Sequence, residues 1–260
     1  MRILVSNDDG HFSAGIAALE RAARSLSDDV WVVAPHEKRS SMGHQISLHG
    51  AFEVTRLSER RYASSGTPAD CVIAAMAWLF ADGPKPDLVL SGVNEGRNIG
   101  EDIAYSGTLS IAREASFWGV PAIAFSGPKD IDYAAPALDR WLALVVGTLG
   151  RDTPSWHRPD SWLSINLPAS IPASICQARP GRAKIASVMQ AERKDGDTVV
   201  LRYVKGRSGV SSAGDETSVL DAGFASVYRL CWNGSTPLDD PLLARLNGML
   251  ARSESKQIAD

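Results

Sequence analysis

The sequence predicts an α/β fold, a mostly parallel sheet with helices on both faces and a C-terminal extension. Three observations carry this. Short apolar runs of strand length recur along the first two thirds of the chain. Segments with helical spacing of apolar residues alternate with them. Beyond about Pro180 the texture changes to alternating, hairpin-like runs. Strands that alternate with helices imply a parallel sheet covered on both sides.

The elements follow in order. Ile3 to Ser6 reads as a buried strand, and Ile16, Leu19, Ala23 and Leu26 then recur at helical spacing. "DVWVVAPH" is a second buried strand, closed by Pro35. "PADCVIAAMAWLFA" is a helix with Thr67 at its N-cap and Pro68 in its first position. "PDLVLSGVN" is a third strand, residues 109–117 a short helix, "GVPAIAFSG" a fourth strand and "DSWLSINLP" a fifth. In the extension, "RAKIASVMQAERKDGDTVVLRYV" holds two alternating runs around Asp195-Gly196, a hairpin signal. "GFASVYRL" is a further strand and "PLDDPLLARLNGMLA" a terminal helix. A long hairpin needs something to pack on. The expected organisation is therefore a core over residues 1–180 and an extension over 181–260 that serves oligomerisation.

Composition narrows the function. The 260 residues suit one α/β domain with an appendage, and 44% hydrophobic with 22% charged content is ordinary for a globular protein. A net charge of −3 gives no basic field for gripping a nucleic-acid polymer. Cys71, Cys176 and Cys231 are odd in number and widely spaced, which indicates neither a disulfide framework nor a thiolate zinc site. No apolar run is long enough to span a bilayer, and the first strand starts at about the first residue, so the expected compartment is the cytoplasm.

The chemistry-bearing residues collect at strand ends. Ser6-Asn7-Asp8-Asp9-Gly10 closes the first strand with two adjacent carboxylates. Like charges side by side repel, so either a cation lies between them or the turn is solvated; both readings stand on these residues alone. Hard divalent cations prefer such oxygen ligands. The loop "APHEKRSSMGHQIS" offers Lys38 and Arg39 to an anion and Ser40 as a neutral oxygen, with His44 in the same loop. "SGVNEGRNIGEDIAYSGT" is a Gly- and Asn-rich loop between a buried strand and a helix. Asn94 and Asn98 offer amide oxygens there, and Ser106-Gly107-Thr108 precedes a helix, where free amides favour an anion. The histidines have no metal-ligand spacing, and no G-x-S-x-G elbow is present.

Taken together, "ILVSNDDG", "VVAPHEKRSSMGH", "GTPADCV", "PDLVLSGVNEGRNIGEDIAYSGT" and "GVPAIAFS" resemble the SurE family, the stationary-phase survival proteins that act as metal-dependent nucleotidases. The resemblance implies a Rossmann-like core and one divalent cation per subunit, Mg²⁺ or Mn²⁺. It puts metal ligands on Asp8, Asp9, Ser40 and Asn94, with Asn7 beside the metal. It puts phosphate contacts on Ser106, Gly107 and Thr108. The implied substrate is a nucleoside 5′- or 3′-monophosphate, with short polyphosphate as a further one, and the implied assembly is a homodimer or homotetramer with exchanged C-terminal segments. The sequence departs from the family at His36, where an acid is common, and in "KIASVMQ" and "ETSVLDAGFASVYRL", which match the family's C-terminal half only loosely. Two other classes compete. A receiver-type signalling domain also pairs acids after its first strand, but the end of the third strand, Ser91 to Asn94, lacks the phosphoacceptor Asp such a domain needs. The second is a non-catalytic nucleotide-binding protein, against which the intact ligand set speaks.

Overall fold

The computed structural model describes residues 1–182, 184–185, 188–204, 206–208 and 211–234. In chain order the core is β1 (Ile3–Ser6), α1 (Ala14–Arg24), β2 (Val30–Pro35), β3 (Val54–Ser58), β4 (Arg61–Ser64), α2 (Pro68–Ala74), β5 (Leu88–Glu95), α3 (Asp102–Tyr105), α4 (Gly107–Phe117), β6 (Ala122–Gly127), α5 (Pro136–Arg151), α6 (Thr153–Trp156) and β7 (Ser161–Asn166). The remainder is β8 (Ile175–Gln177), β9 (Lys184–Ile185), β10 (Met189–Asp195), β11 (Thr198–Tyr203), β12 (Arg207–Ser208), α7 (Glu216–Asp221) and β13 (Ala225–Cys231). The terminal helix expected over "PLDDPLLARLNGMLA" lies outside the described residues.

The strands order as β3-β4-β2-β1-β5-β6-β7-β13-β8 in one sheet. β4, β2, β1, β5, β6 and β7 run parallel, and all of these but β4 are the predicted apolar runs. β3 pairs antiparallel with β4, and β13 antiparallel with β7. The extension therefore returns a strand to the main sheet. Alternate side chains of each central strand feed opposite cores. Ile3, Val5, Leu90, Phe125 and Ile165 pack under α1 and α5. Leu4, Val33, Val89, Ala124 and Trp162 pack under α2 and α4. Both faces of the parallel strands are thus dry, which is why these runs are apolar throughout rather than alternating.

Local signals set the helix starts. Thr67 and Asp70 form a reciprocal capping box at α2, with Pro68 in the first turn. Ser13 caps α1, accepting from the Ile16 amide. Ser106 caps α4, which begins at Gly107, two residues ahead of the expected start. The helix α5 escaped the sequence reading, although Leu138, Trp141, Leu142, Val145 and Val146 are buried at helical spacing along it. β3 and β4 also escaped it, because β3 is an exposed edge strand with no apolar run. The expected hairpin is present as β10 and β11, paired antiparallel with Asp195 opposite Thr198. Among the described residues no helix is long and apolar enough to cross a membrane.

Chain order puts β2 on one side of β1 and β5 on the other. Successive crossovers thus diverge at β1 and β5, and a crevice opens beyond their carboxyl ends. Two glycines allow this close arrangement. A Cβ on Gly15 would sit 1.9 Å from the Val93 carbonyl oxygen, so α1 rests directly on the end of β5. Gly92 has φ +115°, and a Cβ there would meet the Phe125 carbonyl oxygen at 2.2 Å. Between Ser91 and Asn94 the β5–β6 register shifts, which redirects the end of β5 at the crevice.

Candidate active site

The end of β1 places Asn7, Asp8 and Asp9 inside the crevice, all of them buried. Asn7 is fully buried; its Nδ2 donates to the Gly10 carbonyl (3.0 Å) and to Ser13 Oγ (2.8 Å). The turn is thereby tied to the cap of α1. Asn7 Oδ1 is buried with no hydrogen-bond partner among the described residues, a costly condition for an acceptor beside two carboxylates.

Asp8 Oδ1 accepts from Thr108 Oγ1 at 2.6 Å, and Asp9 Oδ2 accepts from the Glu95 backbone N–H at 2.8 Å. Lys38 pairs with Asp9 Oδ1. The two carboxylates are thus gripped from α4 and from the end of β5. Burial pushes the Asp8 carboxyl up to about 6; the Asp9 charge pushes the same way, while the Thr108 hydroxyl and Lys38 oppose it. A raised folded-state pKa means that Asp8 stabilises the fold below about pH 4 and loses that contribution as pH rises through about 6. Above about pH 6 Asp8 is therefore a buried carboxylate whose charge Lys38 offsets only in part.

Asp8, Lys38, Ser40, Asn94, Asn98 and Ser106 line a common cleft of about 760 Å³. Asn94 Nδ2 donates to the Gly96 carbonyl at 2.6 Å, and among the described residues its Oδ1 has no donor. The Arg39 N–H donates to the Asp8 carbonyl (2.7 Å), which anchors the loop carrying Ser40. The same loop is pinned further on, where His44 Nε2 meets Glu114 Oε2 at 2.8 Å and Ser47 Oγ donates to Asp70 (2.6 Å). His44 therefore serves the loop's attachment to α4.

The Ser106-Gly107-Thr108 stretch divides its work. The Ser106 N–H donates to the Asp102 carbonyl (2.9 Å), and Ser106 Oγ accepts from the Leu109 amide (3.1 Å). The Thr108 hydroxyl is committed to Asp8. The amides of Gly107 and Thr108 are in the first turn of α4 and have no intrahelical carbonyl to meet. A Cβ on Gly107 would lie 2.7 Å from Asp8 Cβ, so only glycine lets α4 start against the carboxylate.

The donor set fits a hard divalent cation: Asp8 shares a cleft wall with the Ser40 hydroxyl and the Asn94 amide, and Asp9 is the buried carboxylate next to it in the chain. Among the described residues no group of three or more His, Cys, Asp or Glu side chains could hold a metal, so a softer, imidazole- or thiolate-rich site is not formed.

A second polar layer lies behind the cleft, and of its residues only Asn98 was read from the sequence. Asn166 Oδ1 accepts from the Asn98 N–H (2.9 Å), Asn98 Nδ2 donates to Ser126 Oγ (2.8 Å), and Tyr228 OH donates to the Asn98 carbonyl (3.3 Å). The fully buried Glu216 accepts from the Gly100 and Gly181 amides. α7 and β13 thereby hold the floor of the loop that follows β5.

The family model described as "Survival protein SurE" matches residues 3–194. The chain belongs to the SurE family. Among curated SurE relatives, the protein named 5′-nucleotidase SurE from Paramagnetospirillum magneticum is 37% identical over 90% of both chains. The one of the same name from Azorhizobium caulinodans is 36% identical over 95% of this chain and 97% of its own. The crystal structure of the SurE protein from Aquifex aeolicus superposes with a TM-score of 0.78 at 31% identity, covering 91% of this chain and 95% of that one. The Rossmann-like SurE core expected from the motifs is thus the observed architecture.

Proposed function

We propose that the chain is a metal-dependent phosphomonoesterase that hydrolyses nucleoside 5′-monophosphates, and 3′-monophosphates as further substrates, to nucleoside and phosphate. One observation carries it: a buried carboxylate pair stands at the topological switch point, and Asp8 of that pair shares a nucleotide-sized cleft with two neutral oxygens and a helix start. The relatives' printed name, 5′-nucleotidase SurE, agrees.

Asp8, Asp9, Ser40 and Asn94 would hold one Mg²⁺ or Mn²⁺ ion. A bound divalent cation supplies polarisation of the phosphoryl group and a lowered pKa for bound water. The protein supplies the rest. Thr108 and the Glu95 amide fix the two carboxylates, so little reorganisation is needed during reaction. Asn7 holds the turn that presents them. The amides of Gly107 and Thr108 orient phosphate oxygens and stabilise charge on them. Ser106 shapes this helix start as its cap and forms part of the cleft wall. Phosphate release from a panel of nucleoside monophosphates and short polyphosphates, with and without chelator, tests the reading. Release that chelator abolishes and Mn²⁺ or Mg²⁺ restores is expected; no release from any nucleotide with either metal refutes it.

Asn94→Ala should weaken metal binding roughly tenfold, about 1.4 kcal/mol, with the fold intact. An amide ligand carries no charge, so excess Mn²⁺ should recover much of the rate. A rate that does not respond to excess metal would instead assign Asn94 to the substrate.

The extension, on this reading, joins subunits into a homodimer or homotetramer. Met189, Val199, Leu201 and Tyr203 on the β10–β11 hairpin are large apolar side chains left exposed. Deleting residues 189–203 should lower the mass seen by light scattering. An unchanged mass with full activity would overturn the arm.

A further inference from the structure

We propose that Lys38 is an exchangeable counter-ion, holding Asp9 in the metal-free protein and moving to the substrate phosphate when a divalent cation occupies the carboxylate pair. The proposal rests on the phosphomonoesterase reading above and assigns a residue that the ligand set leaves unexplained. The two ends of the Lys38–Asp9 pair differ in freedom. The Asp9 side chain is 2% exposed and its other oxygen is held by the Glu95 amide, so it stays in place. The Lys38 side chain is 54% exposed, so its ammonium can swing on a four-carbon stem.

The root of that stem is fixed. The next residue, Arg39, donates its N–H to the Asp8 carbonyl at 2.7 Å and its Nη2 to the Ser65 carbonyl at 3.2 Å. Lys38 therefore cannot leave the site with its loop; released from Asp9, its ammonium still sweeps the cleft that it lines with Asp8, Ser40 and Asn94. In the metal-free protein the ammonium offsets part of the Asp8–Asp9 repulsion and keeps the pair in place. With a doubly charged cation on the same carboxylates, the ammonium faces like charge and loses its acceptor. A phosphate group beside that cation presents the strongest negative charge within its reach, and lysine binds phosphate well as a point charge. The other carboxylate near the pair, Glu95, already accepts from the Gly15 N–H at 3.2 Å.

Lys38→Gln separates this from a merely structural salt bridge. Calorimetry with Mn²⁺ alone should show about tenfold tighter metal binding than wild type, because the competing cation is gone. Inhibition by inorganic phosphate should weaken about tenfold and KM for nucleotide should rise, because the phosphate contact is gone. Lys38→Arg should recover phosphate affinity. Thermal melts check that each variant is folded, which an exposed side chain permits. Unchanged or weaker Mn²⁺ affinity in Lys38→Gln, or unchanged phosphate inhibition, overturns the proposal. A wild-type protein that binds no Mn²⁺ would instead sink the metal-site reading on which it stands, so the two failures are distinguishable.

Discussion

Asp9→Asn should lower phosphatase activity at least a hundredfold, or about 3 kcal/mol of barrier. The substitution keeps the shape of the side chain and removes one of two charges from the cation's receptor. Asn can still accept from the Glu95 amide, so the end of β5 keeps its hold on the turn. The metal-free stability should stay within about 1 kcal/mol of wild type. Relief of the Asp8–Asp9 repulsion offsets loss of the partly exposed Lys38 pair. Added Mn²⁺ should raise the wild-type melting temperature by selective binding to the folded state and do little for the mutant. A variant with near wild-type activity and an unchanged metal requirement would make Asp9 a turn residue.

Gly15→Ala should be the most damaging small substitution in the core. The added methyl would sit 1.9 Å from the Val93 carbonyl oxygen, and backbone on both sides prevents easy retreat. Helix α1 must then shift off β5, which carries Asn94 and the Glu95 amide that grips Asp9. Overpacking of this kind costs about 3 kcal/mol, roughly 10 °C in melting temperature for a chain of this length. Activity should fall with it, because the clash falls directly before Asn94. A melting temperature within about a degree of wild type would show that the contact between α1 and β5 is loose.

The legible part of this protein was local. β1, β2, β5, β6 and β7 could be read because both faces of each are buried, which forces continuous apolar runs. The candidate site was legible because its residues end those runs: Asn7-Asp8-Asp9 after β1, Asn94 at the end of β5, Ser106 to Thr108 at the start of α4. The distant pairings were not legible. Glu216 lies 116 positions from Gly100, whose amide it accepts, and Asn166 lies 68 from Asn98. Neither pair leaves a periodic pattern. The Thr108 hydroxyl takes a role the sequence reading did not assign to it: it holds Asp8. A helix start that reads as a phosphate cradle therefore also positions the carboxylate. The helix α5 carried its own periodic signal, and β3 with β4 carried none, being short and at the sheet's edge.

The central claim is that Asp8 and Asp9 are a cation receptor completed by Ser40 and Asn94. Crystals of the protein soaked in Mn²⁺ and measured for anomalous scattering test it most directly. The account predicts one anomalous peak per subunit, in contact with both carboxylates, the Ser40 hydroxyl and the Asn94 amide oxygen, with the Lys38 ammonium displaced from Asp9. A map with no peak at this pair at saturating Mn²⁺, and Lys38 still seated on Asp9, would contradict it.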